Sequence, residues 1–165
     1  MKIQIIKLGQ KNPGTRKSRI ITSIISILWC IGTLIFFNLF RDYMAYFHDG
    51  IRDPFITSEF VKWLWIHNPL LILTLVSHSV FLIYDRYVLR EGILVFLALL
   101  GVASTAVLLS LFPFDFSVFP GDSVSKWAEL GLRIALIITI VSMSFDFLIS
   151  GNTLIRNIAR GNKDY

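Results

Sequence analysis

Long apolar runs alternate with short charged connections along this chain, and the lengths of the runs decide what they form. Residues 20–40, 63–84 and 92–114 are 21, 22 and 23 residues without Lys, Arg, Asp or Glu, rich in Leu, Ile, Val and Phe. At 1.5 Å of helical rise per residue, each run crosses a hydrocarbon core of about 30 Å. A fourth segment, 127–150, is interrupted by Glu129, Arg133 and Asp146, which leave 12 charge-free residues at 134–145. Phe147, Leu148 and Ile149 extend it, so the pattern predicts a fourth span. The expected fold is all-α: an antiparallel bundle of four transmembrane helices in a single membrane domain, residues 1–165. Tails 1–19 and 151–165 then share one side, and connections 41–62 and 115–126 the other.

Composition agrees with a bilayer as solvent. AVILMFWYC make up 55% of the residues and DEKR 16%, against roughly 25% charged in soluble domains. So apolar a chain excludes a water-soluble globule. The net charge of +5 is informative only by position. Lys2, Lys7, Lys11, Arg16, Lys17, Arg19, Arg86, Arg90, Arg156, Arg160 and Lys163 fall on one side of a four-span chain, with Asp85, Glu91 and Asp164. Arg41, Arg52, Lys62 and Lys126 fall on the other, with Asp42, Asp49, Asp53, Glu59, Asp115, Asp122 and Glu129. Eleven bases against four orient both termini to the cytoplasm, in a multi-pass protein of the cell membrane. The lipid bilayer is the expected partner and nucleic acid is not.

Trp63, Trp65 and Trp127, with Tyr43 and Tyr46, are expected in the outer headgroup layer, and Tyr84 and Tyr87 in the inner one. The first run is longer than a signal-peptide core and no small-x-small cleavage site follows it, so it is expected to stay as an anchor. Short interfacial helices are expected at Ser58 and after Asn152, with a kink at Pro69. Segment 112–124, FPFDFSVFPGDSV, is too apolar for a solvated loop. It is expected either to lie among headgroups or to be covered by a partner.

Polar residues inside spans mark faces turned from lipid. His67, Thr74, His78 and Asp85 are 7, 4 and 7 residues apart, within roughly 40° of one another on a helix. Ala128, Gly131, Ala135, Thr139, Ser142, Asp146 and Ser150 make a second stripe, Ser23, Ser26, Cys30 and Thr33 a third, and Ala98, Gly101 and Thr105 a fourth. Gly131, Ala135, Thr139, Ser142 and Gly101 are expected to form the helix-packing face, because membrane helices approach closely through small residues. His78, 15 residues into its span, is placed well inside the layer. Asp146 is placed near the cytoplasmic end, within reach of Arg86 or Arg90. A polar path through His67, Thr74, His78, Asp85 and Asp146 is the sharper alternative. Arg133 lies about 160° from the small stripe and is expected to snorkel to headgroups or to contact another subunit or lipid.

No catalytic motif occurs: there is no H-E-x-x-H, phosphate loop or nucleophile elbow. His67 and His78 share a helix and cannot clasp one haem, and His48, Asp49 and Asp53 form only a loose acidic cluster, so no metal or cofactor is expected. Cys30 is the sole cysteine, which excludes an intramolecular disulfide. The expected role is a non-catalytic membrane subunit or interaction protein acting through helix packing with partner or sister subunits. A small oligomeric transporter or channel using the polar path is the alternative, and a membrane enzyme or a quinone- or haem-associated redox anchor a further one.

Overall fold

The computed structural model describes residues 15–48, 50–84 and 86–159, and these form four long helices. They are α1 (Arg16–Leu39), α2 (Glu59–Ile83), α3 (Tyr87–Leu111) and α4 (Asp122–Ala159), each long and apolar enough to cross a membrane. Thr15 starts α1 by accepting a hydrogen bond from the Ser18 N–H on its hydroxyl, at 3.3 Å, which satisfies one of the orphan donors of a first turn. Each helix packs on its successor: α1 on α2, α2 on α3 and α3 on α4.

All four helices begin four or five residues before the expected runs, and two of them absorb elements expected to be separate. α2 begins at Glu59 rather than at residue 63, absorbing the expected interfacial helix, and runs unbroken through Pro69. α4 continues to Ala159 with no break after Asn152. Apart from the one bond lost because Pro69 has no N–H, such helices keep their backbone groups paired internally.

The connection after α1 is not helical throughout. A 3-10 turn at Arg41–Tyr43 leads into a hairpin in which β1 (Ala45–His48) pairs antiparallel with β2 (Ile51–Pro54), His48 opposite Ile51. Gly50 has φ +78°, a left-handed conformation that costs glycine little. The hairpin was not expected, although Asp49-Gly50 between runs of aromatic and β-branched residues is its usual signal. Residues 55–57 then pair with the opposite connection. The Thr57 N–H donates to Pro113 O at 3.0 Å, the Asp115 N–H donates to Phe55 O at 2.8 Å, and Ile56 bridges Phe114.

The first part of the apolar segment 112–124 thus packs against the chain's own first connection, while residues 120–124 stay exposed. Phe55 stacks on Phe114 and meets the edge of Phe116, both with centroids 5.5 Å apart, and Pro113 and Phe116 are buried. Below this aromatic cap lies the core of Phe60, Trp63, Leu64 and Leu108, flanked by Phe37, Phe114 and Leu136. Trp63, expected at the headgroups, is only 4% exposed: its ring fills the junction of α1, α2 and α3, while Trp65 and Trp127 stay outside.

Candidate functional site

The inward stripes of the first three helices are those the sequence spacing predicts. Ser23 and Cys30 are buried on α1, His78 is buried on α2 with His67 and Thr74 half-buried, and Gly101 is buried on α3. His67 stacks on Trp63 with ring centroids 4.2 Å apart, and its Nδ1 lies 3.1 Å from Ser104 Oγ. The Trp63 indole N–H donates to Ser104 O at 3.0 Å, so one residue of α3 anchors two side chains of α2. The Thr74 hydroxyl donates to Leu70 O within its own helix, at 2.8 Å. The His78 ring meets Phe81 edge-on at 5.4 Å, its Nδ1 has no hydrogen-bond partner among the described residues, and the buried Arg90 lies 5.8 Å from the same Phe81 ring. Asp85 and Asp49 lie outside the described residues. On the hairpin, His48 and Asp53 are 3.7 Å apart, and no group of three metal-ligating side chains exists among the described residues.

On α4 the small stripe is not the face that packs within the chain. Gly131, Ala135, Thr139, Ser142 and Asp146 are all exposed, and a Cβ on Gly131 would meet nothing within 4 Å. Ala128 and Ser150, at the two ends of that stripe, are half-buried, but along the middle of the helix the half-buried row is Leu132, Leu136, Ile140, Met143 and Phe147, about 100° round from the stripe. Gly101 is the reason: it leaves a hole in α3 into which Met143 projects, so that a Cβ there would sit 2.5 Å from Met143 Cε. A long thioether gains dispersion in such a hole that alanine or glycine could not.

The same contacts fix depth. Gly92 faces Leu154, Gly151 faces Val95 and Gly101 faces Met143, a consistent antiparallel register. Asp146 is one turn from Met143 and so lies level with about Leu99, the middle of α3. His78 takes the position the sequence assigned to Asp146. Trp63 and His67 are level with Ser104, and Phe81 with Arg90, which puts His78 near the α2–α3 turn. Asp146 has no ion pair or hydrogen bond among the described residues, and neither links it to His67, Thr74 or His78.

Arg133 turns toward α3 rather than away from it. Its Nε and one terminal nitrogen each lie 2.9 Å from Glu129 Oε1, and its guanidinium sits 3.7 Å over the Phe112 ring. Phe112 ends α3 with φ +40°, a left-handed conformation that a bulky residue adopts only under constraint. Arg133 above the ring and Phe116 stacked beside it at 6.1 Å supply that constraint. Compared with known proteins, the chain matches no family model, no curated protein and no solved structure.

Proposed function

We propose that the protein is a non-catalytic membrane subunit whose fourth helix receives a transmembrane helix of a partner protein. One observation carries this reading: Asp146 sits level with the middle of α3 on an unpacked face of Gly131, Ala135, Thr139 and Ser142. A carboxylate at the centre of a span costs about 2.5–3.5 kcal/mol on insertion scales, and small residues on either side let a second backbone come close enough to offset that cost. None of the 38 residues of α4 is fully buried, which leaves the face free. The nearest bases along α4, Arg133 and Arg156, are 13 and 10 residues from Asp146, about 20 and 15 Å. A second copy in the same orientation brings no base to that depth, so the partner helix is foreign and carries a Lys, an Arg or an amide there. The excess of bases in the tails and in the α2–α3 turn supports placing both termini on the cytoplasmic side.

Native mass measurement after gentle extraction from the source membrane tests the reading. A foreign polypeptide bound to the wild-type chain and released by Asp146→Leu and by Thr139→Trp is the expected result; a bare monomer, or a partner indifferent to both variants, would refute it. The transporter reading draws on His67, Thr74 and His78 sharing one inward face of α2. Asp146, which that reading also needs, faces the other way.

A further inference from the structure

A groove of about 580 Å³ lies between α1 and α2, lined by Leu28, Trp29, Gly32, Thr33, Phe36, Phe37, Trp63 and His67. Its volume is in the range of ligand pockets, and its walls are mostly aromatic. Three polar groups in it are unexplained by the fold. Among the described residues, every other helical threonine, Thr22, Thr74, Thr105, Thr139 and Thr153, donates its hydroxyl to the carbonyl four residues back. Thr33 makes no such bond and has no other partner. The Trp29 indole N–H is likewise unused, on a side chain 74% exposed. Tryptophan prefers headgroups, yet Trp29 lies deep in the first apolar run. His67 is held on Trp63 and tied through Nδ1 to Ser104, which leaves Nε2 as its available ring atom.

We propose that this groove binds an isoprenoid quinone, a flat ring with carbonyl oxygens on a lipid-soluble tail. The chemistry of the lining selects that class. Aromatic walls accept a flat ring face-on or edge-on, and Gly32 leaves room because a Cβ there would meet nothing within 4 Å. An indole N–H can only donate, and the free Thr33 hydroxyl can donate as well, so the matching group is an acceptor oxygen. The groove has no charged lining residue and therefore nothing for a phospholipid headgroup. Its mouth carries the exposed apolar side chains of Leu28 and Phe36, where a tail passes into lipid. The site is separate from the outward face of α4 and stands or falls independently of it.

Decylubiquinone titrated into phosphatidylcholine vesicles containing the full chain tests this, with tryptophan fluorescence as the readout. Two of the four tryptophans, Trp29 and Trp63, line the groove, and quinone rings quench indoles on contact. The expected result is a saturable component above the linear collisional quenching of Trp65 and Trp127, its midpoint raised roughly fivefold or more by Thr33→Val, the loss of one hydrogen bond. Thr33→Val keeps the branched shape of the side chain and keeps the proposal testable if His67→Leu, expected to weaken binding further, fails to insert. Decylbenzene, which lacks carbonyls, is expected not to displace the quinone. Purely linear quenching, a midpoint unchanged in Thr33→Val, displacement by decylbenzene, or saturable quenching by a spin-labelled acyl chain in place of the quinone would each overturn the assignment.

Discussion

Met143 projects into the space that a side chain on Gly101 would occupy, its Cε 2.5 Å from the position of a Cβ there. With Gly92 against Leu154 and Gly151 against Val95, this fit defines the register of α4 on α3, and with it the level of Asp146 and the side of α4 left open. Gly101→Leu is therefore expected to destabilise the helix pair by about 1–3 kcal/mol through overpacking. Gly101→Ala is expected to cost less, because the opposing atom is the end of a flexible side chain. Unfolding titrations in bicelles measure both. The double variant Gly101→Ala, Met143→Ala is expected to be non-additive, since each change alone alters the same contact; additive costs would mean that Met143 does not fill this hole.

Trp63→Phe removes the indole donor to Ser104 O and one face of the His67 stack. A loss of about 1 kcal/mol for the hydrogen bond is expected, with a further loss from the void beside Leu64 and Leu108. Substituting Trp65, which is 78% exposed, is expected to leave unfolding nearly unchanged. Equal effects of the two substitutions would contradict the placing of Trp63 in the core.

Arg133→Leu breaks the pair with Glu129 and uncovers the Phe112 ring. The helical ion pair contributes a few tenths of a kcal/mol and the cation–ring contact about 0.5–1 kcal/mol, so thermal unfolding should show a loss near 1 kcal/mol in total. Arg133→Lys is expected to recover less than half of it, because an ammonium lacks the planar face that lies over the ring. Native mass should not change with either variant, since both contacts are internal to the chain.

Acid should loosen the turn after α3. The Ser117 hydroxyl donates to Asp115 Oδ1 at 2.6 Å and the Ser117 N–H donates to the same oxygen at 2.9 Å, and these bonds, the hydroxyl first, hold the Asp115 carboxyl below its ordinary range. A depressed folded pKa means that the contribution is complete above the ordinary carboxylate value and is lost as pH falls through the lowered one. The amide resonance of Ser117 is expected to move with a midpoint below that of a free aspartate, and Asp115→Asn to abolish the movement. A midpoint at the free value would show that the two bonds do not favour the charged form.

The periodicity of the chain was enough to locate four spans and to turn α1, α2 and α3. On a helix every residue advances 100°, and each of these spans has one polar or small stripe and otherwise apolar positions. Ser23 with Cys30, His67 with Thr74 and His78, and Gly101 accordingly face inward. The hairpin was also legible, in Asp49-Gly50 between runs of aromatic and β-branched residues.

Three matters waited for the tertiary structure, and each has a physical cause. Hydropathy cannot distinguish a small stripe that packs from one left open, because the choice lies with the opposing helix: Gly101 on α3 accepts the bulky Met143 and so turns Gly131, Ala135 and Asp146 outward. Position counted from the ends of an apolar run does not fix which residues of neighbouring helices stand level, and packing sets Asp146 opposite the middle of α3 and His78 near the α2–α3 turn. The cover of the first part of the 112–124 segment is a contact between residues about 60 apart in sequence, Ile56 and Phe114, and no local pattern specifies a long-range backbone bridge. Sequence alone determined the solvent and the span count; the neighbours each face would meet were decided by packing, which depends on the shapes of two surfaces at once.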